Sequence, residues 1–119
     1  MPADVVIDQA RHRVTVAVHG VLRADDIRQA RWSLAADSAF DPAFGQLIDL
    51  TGVTQVLVSA GDVEQLARTS MFGNATRVAI VAPTPLTSAL SRMYRMFSQP
   101  SGRTVEIFQS AEEAERWLL

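Results

Sequence analysis

A chain of 119 residues, 48% of them hydrophobic, has the length of one domain and enough apolar mass to bury a core. Its formal net charge of -2, with 20% charged residues, gives no electrostatic footprint for a phosphate backbone or an anionic bilayer, so nucleic acid is not an expected partner. Cysteine is absent and every positive charge is an arginine, which removes disulfides, thiolate nucleophiles, cysteine-ligated zinc, Schiff-base chemistry and a P-loop lysine.

The opening stretch "MPADVVIDQARHR" has no basic segment followed by an apolar one, and no apolar run approaches the roughly 20 residues that cross a bilayer. The expectation is a single cytoplasmic domain over residues 1–119 with no membrane span. "DVVID" (Asp4 to Asp8) and "RVTVAVHGVL" (Arg13 to Leu22) are β-branched runs around a polar turn, which predicts an antiparallel hairpin. In the second run Val14, Val16 and Val18 face one way and Thr15, Ala17 and His19 the other, so one face is core and the other only partly covered. "ADDIRQARWSLAADSAF" predicts an amphipathic helix capped by Asp25. Ile27, Ala30, Leu34 and Trp32 are its candidate core residues, with the arginines outside.

After the "FDPAFG" loop, "QLIDL" (Gln46 to Leu50) predicts a short strand covered on both faces. The "TQVLV" segment follows as a loop, and Ser59 with Asp62 has the S-x-x-D spacing of a capping box for a second helix. "RVAIVA" (Arg77 to Ala82) is a further strand. It leads to a third helix with Thr84 as cap, Pro85 at the first helical position and Leu86, Leu90, Met93 and Phe97 as a core stripe. "TVEIF" is the last strand, and Ser110 with Glu113 opens a fourth helix. The order β-β-α-β-α-β-α-β-α predicts an α/β fold, with a mostly parallel central sheet, an N-terminal antiparallel hairpin and four helices.

That order, together with "DLTGVTQVLVSAG" from Asp49 to Gly61, resembles the STAS domains, the family of bacterial anti-sigma-factor antagonists and of sulfate-transporter tails. In the family an Asp-hydrophobic-Ser/Thr-Gly-Val stretch precedes Asp-Ser-Ser-Gly, whose second serine is phosphorylated by a partner kinase. The resemblance places that serine on Ser59, with Leu57-Val58 where the family has Asp-Ser and Ala60 where it has glycine. "TSALSRMYRMF" and "EIFQSAEEAERWL" are similar to the divergent STAS/SEC14-like branch. The likeness implies a non-enzymatic regulatory domain, with a lipid-carrying fold as the analogy for that branch.

Each candidate residue has a structural reading beside the functional one. Ser59 is more readily a helix cap than a phosphoacceptor, and Asp49 more readily a receiver of local N–H groups than a ligand contact. His12 and His19 lie seven apart and cannot chelate together from one strand, so no metal site is expected. The pairs Asp25-Asp26 and Glu112-Glu113 sit at helix starts and serve the dipole. No G-x-G-x-x-G, P-loop or G-x-S-x-G pattern occurs, and no cofactor is expected.

The favoured function is therefore binding of a protein partner or a second copy through the loop after the third strand and the helix opened by Ser59. Asp49, Thr51, Gly52, Thr54, Ser59, Asp62, Tyr94 and Arg95 form the candidate surface, and Ser59 is the candidate phosphoacceptor. The alternative is a small lipophilic ligand held by Met71, Phe72, Met93 and Phe97.

Overall fold

In the computed structural model, which describes residues 3–119, the two β-branched runs pair as their pattern predicts. Strand β1 (Ala3–Asp8) lies antiparallel to β2 (Arg13–Arg23), with Val5 opposite Val16 and Ile7 opposite Val14. Helix α1 (Ala24–Ala35) leads to β3 (Gly45–Leu57), α2 (Ala60–Arg68), β4 (Arg77–Val81), α3 (Pro85–Ser98), β5 (Thr104–Phe108) and α4 (Ala111–Leu118). The strands form one sheet in the order β1-β2-β3-β4-β5, and every pairing after the hairpin is parallel.

A sheet whose parallel strands advance in one direction, each crossover having the same hand, collects its crossover helices on one face. Accordingly α1, α2 and α3 cover one face, and α4, which follows the last strand, covers the other. The strand alternation supplies both cores. Rows Val14, Gln46, Val78, Val105 and Val16, Ile48, Ile80, Ile107 run across the sheet toward α1–α3. Leu47, Ala79 and Val81 point the other way and pack on Ala114 of α4, with Phe108 and Trp117 at the edge. Val14, Val18, Val78 and Val81 are almost wholly buried. Full burial of such side chains contributes about 1.5–3 kcal/mol each. Arg13, buried at the start of β2, pairs with Glu115 of α4 and ties that helix to the sheet.

Several helix ends follow their local spacing. Ser59 accepts from the Asp62 N–H and the Asp62 carboxylate accepts from the Ser59 N–H, each at 3.1 Å. Thr84 makes the equivalent box with Thr87, at 3.2 Å in both directions, and Pro85 stands in the first turn. Ser110 accepts from the Glu113 N–H at 3.3 Å.

Four expectations are corrected. Asp25 is not the cap of α1: Arg23 occupies that position without a side-chain hydrogen bond, and Asp25 and Asp26 fall in the first turn. Trp32 is 77% exposed, because the inward stripe of α1 is Ala24, Ala30 and Leu34, with Ile27 packed beside it. The third strand does not stop at Leu50 but runs on to Leu57. It does so through two register shifts against β2, between Ala17 and His19 and between Gly20 and Val21, each placing one extra residue on β3. The "TQVLV" segment is thus bulged strand rather than loop. In α3, finally, Leu86 is 59% exposed and Met93 and Phe97 only half-buried. Thr87, Ser91 and Ser98 are buried instead, with Leu90 and Tyr94 packed on the core.

Two glycines are required where β3 bulges. A side chain on Gly52 would stand 2.6 Å from His19 Nδ1 and 3.0 Å from the Val18 carbonyl oxygen. Gly20 has a φ of +73°, in the left-handed region, beside the second register shift.

Candidate ligand cavity

Between the sheet and its three crossover helices the side chains do not meet completely. A cavity of about 90 Å³ remains. The sheet contributes Val16, Gln46, Ile48, Leu50 and Ile80, and α1 contributes Ile27, Ala30, Arg31 and Leu34. Val5 of β1, Leu22 of β2 and Val58 add to these, and the remaining wall is Val63 and Leu66 of α2, Phe72 from the connection to β4, and Leu90, Ser91 and Tyr94 of α3. Phe72 is held edge-on to Phe40, 5.3 Å between ring centres.

The small residues of α3 explain the space. Ser91 stands where a larger apolar residue would reach the sheet, and its Oγ donates back to the Thr87 carbonyl at 2.7 Å. Gln46 is the one polar member of its row, only 8% exposed, in line with Val14, Val78 and Val105.

Arg31 brings a charge into this apolar wall. Its Nη1 donates to Thr69 Oγ1 at 3.3 Å and its Nη2 to the Tyr94 hydroxyl at 3.5 Å, both neutral and both long. Burial pushes the Arg31 guanidinium below the usual arginine value, Tyr94 opposes that shift, and the neighbouring Arg103 and Arg28 add to it. Sequence reasoning placed Arg31 on the outer face of α1. Its signal was available, since Ile27, Arg31 and Leu34 share one helical stripe.

Of the residues proposed for a lipophilic ligand, Phe72 lines the cavity, whereas Met71 packs against the core behind it. Met93 and Phe97 lie outside the lining, half-buried on another face of α3. Tyr94 and Arg95, proposed for a partner, are separated: Tyr94 faces the cavity and Arg95 stands 4.0 Å from Glu106 at the surface.

The other candidate partner contacts lie along β3 and the start of α2. Asp49 accepts from the Thr51 N–H at 2.9 Å and the Thr51 hydroxyl at 2.7 Å, which pins the first bulge. Thr51, Thr54 and Ser59 are exposed, and Gly52 is half-covered by His19. Asp62 is held below the usual carboxylate range by its hydrogen bonds from Ser59, helped by Arg28 at 3.7 Å. A second depression, of about 260 Å³, lies at the opposite end of the strands and is lined by Arg11, Arg13 and Arg77. Those cations are engaged, with Asp8, with Glu115 and with the Trp117 carbonyl respectively.

No family model and no curated protein matches this chain. Among solved structures it is similar to an uncharacterised protein of the DUF3478 family from Shewanella loihica PV-4, described as having a SpoIIAA-like fold. The two superpose with a TM-score of 0.65 at 23% identity over 98% of this chain and 92% of the other. The fold is SpoIIAA-like. It is the fold of the STAS domains and anti-sigma-factor antagonists, as the order of elements implied. Within the SpoIIAA-like frame the cavity occupies the face under α1–α3, and the bulged half of β3 projects past the last residue of β4. Among the described residues no helix is long and apolar enough to cross a membrane, and no group of three His, Asp or Glu stands close enough to hold a metal.

Proposed function

We propose that this chain is a non-catalytic binding domain that holds a small lipophilic molecule between its sheet and α1–α3. The observation that carries this reading is the cavity of about 90 Å³ with its predominantly apolar wall. Protein interiors pack to crystal density and seldom leave voids larger than one water, which needs only about 10–15 Å³ by a comparable measure. The space opens to solvent on one side, and an apolar occupant would remove its apolar wall from water, at about 25 cal/mol per Å² buried. Binding rather than chemistry fits the wall. Ser91 spends its hydrogen on the Thr87 carbonyl, and no histidine or carboxylate lines the cavity.

Regulation through a protein partner is the second reading, favoured by the exposure of Ser59 at the start of α2. Two features weigh against phosphorylation as its trigger. The Ser59 Oγ already caps the Asp62 N–H, and a phosphate there would meet the Asp62 carboxylate.

Native mass spectrometry of the protein purified from its own host separates the two. A non-covalent adduct that leaves on mild activation supports the ligand reading. A covalent phosphate mapped to Ser59, with no such adduct, supports the switch and contradicts the ligand reading.

A further inference from the structure

The cations around the cavity are unevenly compensated. Asp25 and Asp62 both engage Arg28, at 2.7 and 3.7 Å, and Gln65 accepts from it as well. Arg31, in the wall, pairs with no carboxylate among the described residues, and neither does Arg103. Arg103 is only 9% exposed; its Nη2 donates to the Ala67 carbonyl at 2.6 Å and its buried Nε has no partner among the described residues. Arg31 and Arg103 therefore gather at the C-terminal end of α2, one on Ala67 and the other on Thr69, the residue that caps it.

A helix end supplies about half a negative charge against two full positive ones. A charge without a counter-charge is costly to the extent that it is buried, fully for Arg103 and in part for Arg31, and an arginine cannot relieve the cost by losing its proton at neutral pH. Arg31 has five N–H donors, of which two make long bonds to neutral oxygens, and the Tyr94 hydroxyl accepts from it while donating to no group among the described residues. A wall that is mostly apolar, with Gln46, the self-satisfied Ser91, an undercompensated guanidinium and a phenol hydroxyl as its polar groups, matches an amphiphile with an anionic head.

We infer, building on the ligand reading above, that the cavity takes a slender aliphatic carboxylate. Its chain lies among Leu66, Ile80 and Leu90, and its carboxylate sits on the Arg31 guanidinium beside the Tyr94 hydroxyl. The carboxylate is favoured because two parallel N–H donors of a guanidinium match its two oxygens and its single charge. The slender chain follows from shape: a space of about 90 Å³ that opens to solvent on one side admits a narrow alkyl chain, part of which stays at the mouth with its head.

Calorimetric or NMR titration with hexanoate and with hexan-1-ol, which differ only in the head, tests this at pH 7.5. The expected result is hexanoate binding at least about tenfold more tightly, the worth of a charge-assisted bond. In Arg31→Gln the preference for hexanoate is lost and the affinity for hexan-1-ol is kept. In Tyr94→Phe, a milder change, hexanoate weakens about threefold and hexan-1-ol is unaffected. Equal affinity of the two probes for the unaltered protein overturns the anionic head and leaves the apolar cavity standing as a binding site. Hexyl phosphate binding more tightly than hexanoate overturns the carboxylate in favour of a phosphate head. Failure of both hexyl probes to bind overturns the inference and the ligand reading together.

Discussion

Ser59 and Arg31 mark the two kinds of residue in this protein, those whose role is set locally and those whose role is set by packing. The capping box of Ser59 and Asp62 was legible because both partners lie within four residues and act on backbone N–H groups of the same turn. Ser59→Ala is expected to lower stability by about 1 kcal/mol, read from the urea midpoint at pH 7. The box also sets a pH dependence. The folded-state value of Asp62 is depressed by Ser59, so its contribution is fully present above the ordinary aspartate range and is lost as the pH falls through the depressed value. The stability gap between the unaltered protein and Asp62→Asn should be present at pH 7 and shrink below about pH 4, as followed by urea denaturation. Arg31, by contrast, was assigned to solvent because arginines usually are. Only the packing of α2 and α3 over α1 shows that it lies in a wall with Tyr94.

At the scale of elements, strand and helix identity followed from periodicity, but the extent of β3 did not. "DLTGVTQVL" contains a glycine and three residues with polar hydroxyl or amide groups, which read as a loop. In the fold these residues continue alongside β2 through two bulges, so pairing with a neighbour distant in sequence overrides the local signal. Beyond Asp49 the strand has β2 on one side only, since β4 ends opposite Asp49 at Val81. Amide hydrogens of Val53–Leu57 should therefore exchange at least about tenfold faster than those of Gln46–Asp49 in native-state hydrogen exchange. Gly52→Ala would drive a methyl group against His19 and the Val18 carbonyl and is expected to cost about 1–3 kcal/mol, again from denaturation midpoints. Helix α3 misled in the opposite direction. Leucine, methionine and phenylalanine at helical spacing predicted the core stripe, yet threonine and serine face the sheet. Small residues there bring the helix close at Thr87 and Ser98 and leave space at Ser91, a pattern that hydrophobicity alone does not register.

For the molecule as a whole, the alternation of strands with helices was enough to fix an α/β sheet with a leading hairpin, and the SpoIIAA-like fold conforms to it. The cavity was not readable in the same way, because a void is a property of how three helices fit one sheet and has no signature in any single segment. Of the residues the sequence marks for a lipophilic site, Phe72 lines the cavity, while Gln46, Ser91 and Arg31 line it with no such mark. A titration of the protein with hexan-1-ol, followed by methyl and amide NMR, tests the binding role most directly when run beside Ser91→Leu, which fills the space from α3. Saturable shifts at Leu66, Ile80 and Leu90 in the unaltered protein, absent from Ser91→Leu, are the predicted result. No saturable shift, or the same shifts in the filled variant, would contradict a ligand bound between the sheet and its helices.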